Sequence, residues 1–80
     1  MRLDKFLKVS RIIKRRSVAN EFCDAQRVCV NGKIARASHK LKIGDVIEAD
    51  LANRHIKIKV ISLNETVRKE NCTDLYSIVD

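Results

Sequence analysis

The dipeptide Asn31-Gly32 stands between two short runs, Val28-Cys29-Val30 and Lys33-Ile34-Ala35. Asn and Gly accept the positive φ angles of a two-residue type I′ turn, so this stretch predicts a β-hairpin. Downstream the pattern keeps a period of two. Ile43-Gly44-Asp45 marks a second turn, Val46–Leu51 a strand, Asn53-Arg54 a further turn and Ile56–Ile61 another strand. In the last of these, Ile56, Ile58 and Val60 share a face that predicts burial, with Lys57 and Lys59 in solvent. Upstream the spacing is helical. Leu3, Phe6 and Leu7 fall on one face of a helix near residues 3–10, and Asp4 lies in its first turn, where the helix dipole favours a carboxylate. Arg11-Ile12-Ile13-Lys14-Arg15-Arg16 is too crowded with charge to be core and predicts a tight connection. Ser17 is the expected N-cap of a second helix over about 18–26, although Asn20 rather than Glu stands three residues on. Val18, Ala19, Phe22, Cys23 and Ala25 supply its apolar stripe. The polar stretch 64–74 has room for one helical turn before Leu75–Val79 ends the chain extended. The expected fold is α+β: two N-terminal helices, joined as a helix-turn-helix, followed by a small, mostly antiparallel sheet.

Eighty residues build one core, so a single domain over 1–80 is expected, with its core in 1–60 and a C-terminal extension over 61–80. There is no run of about eighteen apolar residues to span a membrane. Met1-Arg2-Leu3-Asp4-Lys5 lacks the apolar stretch of a signal peptide. Cys23, Cys29 and Cys72 are odd in number and form no CxxC pair, which fits reduced thiols in a cytosol rather than disulfides or a metal site.

Catalytic signatures are missing from the sequence. Gly32 and Gly44 lie in separate turns, not in a phosphate loop. His39 and His55 have no partner at ligand spacing, and Ser10, Ser17 and Ser38 read as caps and turn residues. No enzyme activity, metal or cofactor is expected.

The charge is the functional signal. The net charge is +7, distributed as +5 over residues 1–27 (eight Lys/Arg, three Asp/Glu), +4 over 28–59 (seven and three) and −2 over 60–80 (two and four). Arg2, Lys5, Lys8, Arg11, Lys14, Arg15 and Arg16 place seven cations in the first sixteen residues, against Asp4 alone. A solvated helix face normally mixes signs to relieve self-repulsion; this one does not. Four of the seven are arginines, whose planar fork matches phosphate oxygens in two-point contacts. A polyanion is the expected partner. Membrane adsorption would need a broad exposed apolar face with aromatic anchors, and there is no Trp while Phe6 and Phe22 are expected in the core. Helix-turn-helix DNA reading is disfavoured because Glu21 and Asp24 on the second helix would face phosphate badly. Aromatic residues are 4%, too few for stacking on single strands to dominate. Structured RNA, recognised by shape and phosphate position, remains.

Arg2-Leu3-Asp4-Lys5-Phe6-Leu7, then Arg11 and Lys14-Arg15-Arg16-Ser17, then Val30-Asn31-Gly32-Lys33 and Lys42-Ile43-Gly44-Asp45 resemble the RNA-binding domain family named after ribosomal protein S-four. The resemblance covers roughly residues 1–60, with elements in the same order. Among stand-alone members the chain resembles a short branch related to the bacterial heat-shock protein of fifteen kilodaltons. That branch serves in ribosome-associated quality control. The resemblance implies binding to the large ribosomal subunit obstructed by peptidyl-tRNA, with contacts to large-subunit rRNA and to the tRNA. It implies a partner, RqcH, that adds an alanine tail to the stalled chain, and a monomer off the ribosome. By motif position it implies RNA contacts at Arg2, Asp4 and Arg16, supported by Lys5, Lys8, Arg11, Lys14, Arg15 and Asn31. Asp4 would orient an arginine or accept a ribose hydroxyl; its helix-dipole role is compatible with either, and a hairpin turn alone also explains Asn31. A general structured-RNA or ribosome-assembly factor, and an RNA-binding subunit of a separate modifying enzyme, are the alternatives.

Overall fold

A computed structural model describes residues 1–63 and 75–79. Two helices, α1 (Leu3–Val9) and α2 (Arg16–Asp24), precede strands β1 (Val28–Val30), β2 (Lys33–Ile34), β3 (Val46–Leu51), β4 (Arg54–Val60) and β5 (Tyr76–Ile78). The strands form one sheet in the order β2-β1-β3-β4-β5, antiparallel at every pairing. This is the α+β order read from the sequence. Alternation selects the buried face: Val28 and Val30, Ile47 and Ala49, and Ile58 and Val60 point inward, against Leu3, Phe6 and Leu7 of α1 and Ala19 and Cys23 of α2.

The hairpin turn is as expected, with Asn31 at φ 54° and Gly32 at φ 83°. Its tip is fastened to the next turn. The Asn31 Nδ2 donates to Asp45 Oδ1 at 3.1 Å, Val46 N–H donates to Asn31 Oδ1 at 2.9 Å, and Lys42 N–H donates to Asp45 Oδ2 at 2.8 Å. Arg54 belongs to β4 rather than to the turn before it. The expected helical turn in 64–74, and Cys72, lie outside the described residues.

The first helix starts at Leu3 and ends at Val9, close to the expected 3–10, whereas the second is shifted two residues earlier than expected. The first amides of α1 are met by a loop distant in sequence: Leu3 N–H donates to His39 O at 2.8 Å and Asp4 N–H to Ala37 O at 3.2 Å. That loop is anchored by buried Ala35, Ala37 and Leu41, and Leu41 N–H donates to Met1 O at 2.9 Å. The second helix starts at Arg16, with extended Arg15 before it and no side-chain cap, so Ser17 lies within the first turn and is not the N-cap. Within the basic connection Ile13 is 6% exposed, contrary to the expectation that the segment avoids the core. One apolar residue can point inward while its charged neighbours stay wet.

Both helices end on a left-handed residue that is not glycine, Arg11 at φ 63° and Gln26 at φ 61°. After α2, Gln26 N–H donates to Cys23 O at 3.0 Å and Arg27 N–H to Phe22 O at 3.1 Å, the Schellman pattern. A side chain in this conformation costs about 1–2 kcal/mol, partly offset by the larger unfolded-state entropy of glycine. Gln26→Gly is therefore expected to stabilise the fold by about 0.5–1 kcal/mol, seen as a Tm raised by roughly 2–8 °C in thermal unfolding.

Candidate nucleic-acid interface

Asp4 is the organising residue. It is 1% exposed, on the first turn of α1, and its carboxylate is met from several sides. Lys5 N–H donates to Oδ1 at 2.8 Å and Asn20 Nδ2 to Oδ2 at 3.2 Å. Arg16 approaches side-on, Nε at 3.2 Å from Oδ2 and Nη2 at 3.4 Å from Oδ1. Arg2 approaches with Nε at 3.3 Å from Oδ1 and Nη2 at 3.4 Å from Oδ2. Burial by itself would raise the Asp4 pKa. The Arg16 hydrogen bond, the Lys5 amide and the charges of Arg16 and Arg2 outweigh it and hold the carboxyl below its ordinary value.

The sequence folds this way because Arg16 and Asn20 are four apart and share one face of α2, the face turned toward α1. Starting α2 at Arg16 brings its guanidinium to Asp4. The arginine side chains remain 48% and 46% exposed. Of the five N–H donors of a guanidinium, two nitrogens' worth face Asp4 and the others are left for an outside acceptor. One buried carboxylate thus holds two half-exposed arginines in fixed orientation, with one unit of positive charge in surplus. Such a pair has the geometry and charge to clamp a phosphate.

The remaining candidates are placed less uniformly. Lys8, Arg11, Lys14 and Arg15 are exposed, and Lys5 is half-buried. Arg11 lines a different groove, of about 460 Å³, with Ile12, Arg54, Ile56 and Ile78. The Asn31 side chain is engaged by Asp45 and Val46, so it joins two turns. Asp4 lies under the arginines, so its oxygens orient them; the geometry leaves the ribose contact without an exposed acceptor. Sequence reasoning overlooked Asn20 as a member of the cluster, although its i, i+4 spacing from Arg16 was a usable signal. Cys23 packs nearby, and burial first, then the charges of Asp4 and Asp24, push its thiol up to about 11. His39 and His55 are exposed, the latter with Nε2 3.6 Å from a Glu48 carboxylate oxygen. Among the described residues no group of His, Cys, Asp and Glu could hold a metal, and no helix is long and apolar enough to cross a membrane.

Residues 1–47 match the S4 domain family model, which defines the class: an S4-type RNA-binding domain. Over 79 residues the chain is 46% identical to an RQC P-site tRNA stabilizing factor of Streptococcus pneumoniae, covering 99% of this chain and 90% of that one. It is 45% identical over 78 residues to the factor of the same name from Halalkalibacterium halodurans, covering 98% and 89%. The structure of Heat Shock Protein 15 from Vibrio cholerae superposes with a TM-score of 0.91 at 28% identity, covering 99% of this chain and 81% of that one. The chain belongs to the S4-domain family of RQC P-site tRNA stabilizing factors.

Proposed function

We propose that this protein binds large ribosomal subunits obstructed by peptidyl-tRNA and steadies the P-site tRNA during ribosome-associated quality control. The observation that carries the reading is the Asp4-held pair, Arg2 and Arg16, pre-set for phosphate on a chain of net charge +7. It acts by binding, with no catalytic step of its own. Arg2 and Arg16 grip backbone phosphates of rRNA or tRNA, and Lys5, Lys8, Arg11, Lys14 and Arg15 add to the surrounding field. Asn31 supports the surface by holding the hairpin turn, where backbone can approach RNA. By steadying the tRNA the protein supports RqcH as it adds the C-terminal alanine tail. It works in the cytoplasm, and off the ribosome it is a monomer.

Binding through about five phosphates releases counterions, so log affinity for blocked subunits is expected to fall by roughly 3.5–4.5 per unit of log salt. Titration at several salt concentrations measures this. A flat response would mean docking on ribosomal protein and contradict the RNA reading.

A further inference from the structure

Beside the clamp lies an open groove of about 560 Å³ between the end of α2 and the segment after β2. Arg2 and Arg36 both line it, and both are exposed. The lining also includes Asn20, Asp24, Ile34 and Ser38. Ile34 is 60% exposed, an apolar surface with no covering side chain. Asp24 is the anomaly. It is the last residue of α2, where the helix dipole disfavours a carboxylate. Its side chain is exposed on a protein of net charge +7, beside residues that recognise a polyanion. A residue that opposes both local helix stability and the surrounding field marks a place where function overrides the local rule.

The pieces fit one ligand. A nucleotide has phosphates on its ends and a flat base with polar edges between them. Arg2 and Arg36 suit the two phosphates, and the Ile34 side chain suits the base face. The Asp24 carboxylate is an acceptor, with no capacity to bond a phosphate, and it matches the exocyclic amine of a base. We propose that this groove is a base-reading subsite that takes one unpaired, amino-bearing nucleotide of the RNA held by the clamp. The subsite rests on the RNA-binding function proposed above, and it adds a sequence-dependent contact to a surface otherwise built for phosphate.

Asp24→Ala gives a test of sign. On a purely electrostatic surface, removing a carboxylate tightens RNA binding. At a base-reading site it removes the acceptor and weakens binding, by about tenfold for blocked large subunits. Folding should not suffer, because the change relieves an unfavourable dipole contact and alanine favours the helix; a Tm at or above that of the wild type checks this. Binding is measured on peptidyl-tRNA-blocked subunits, with dimethyl sulfate and kethoxal reporting the Watson–Crick edges of unpaired bases. The expected result is one amino-bearing base protected by the wild type and reactive with Asp24→Ala at saturating protein. Equal or tighter binding by Asp24→Ala, or identical protection patterns, would overturn the subsite while leaving the clamp intact. Failure of the wild type to bind the subunits at all would instead remove the proposed function, and the subsite with it.

Discussion

Arg2→Ala/Arg16→Ala is expected to bind blocked large subunits about a hundredfold or more weakly than the wild type. Each arginine offers a charge-assisted contact worth on the order of 1–3 kcal/mol, and the two act on one surface. The salt slope should flatten by roughly two units in the same titration, because about two counterion-releasing contacts are gone. Lys8→Ala/Lys14→Ala removes the same charge from exposed positions that Asp4 does not orient. A smaller loss for that lysine pair would show that orientation matters beyond charge. Equal losses would reduce the clamp to a diffuse field.

Asp4→Asn should affect both stability and binding without touching RNA. The amide cannot sustain the charge-assisted bonds from Arg2 and Arg16, and a loss of about 1–3 kcal/mol is expected in denaturant unfolding at neutral pH. Freed arginines sample many rotamers, so affinity for the subunit should also fall, by about tenfold, although the net charge becomes more positive. The wild-type contribution is pH dependent. With its pKa lowered on folding, Asp4 stabilises the fold fully above the unfolded carboxylate value of about 3.9, and this is lost as pH falls through the lower folded value. The stability gap between wild type and Asp4→Asn should therefore narrow below about pH 4. A gap constant with pH would assign the effect to packing rather than charge.

What could be read from the sequence follows the range of the forces involved. Asn31-Gly32 and Gly44 encode their turns in their own φ preferences, and β4 declares its face by alternation, so sheet and hairpin were legible. The place of α1 was legible too, but the limits of α2 and the partners that cap α1 were not. The N-terminus of α1 is capped by the carbonyls of Ala37 and His39, which no local signal announces. Arg11 and Gln26 occupy the left-handed positions where glycine would have signalled a stop. The start of α2 is drawn forward by a pairing between Arg16 and Asp4, twelve residues apart. The cations of the site were legible as composition. Their division was not: Arg2 and Arg16 converge on a buried carboxylate, whereas Arg11 turns to the β4–β5 groove and Asn31 is spent on Asp45.

Sedimentation of the tagged wild-type protein through a sucrose gradient of lysate tests the central claim most directly. Large subunits carrying peptidyl-tRNA, empty large subunits and precursor subunits are resolved or separately prepared for comparison. The clamp and its proposed role predict enrichment on the peptidyl-tRNA-blocked particles over the empty ones. Enrichment on precursor subunits with none on blocked ones would contradict it and identify an assembly factor instead.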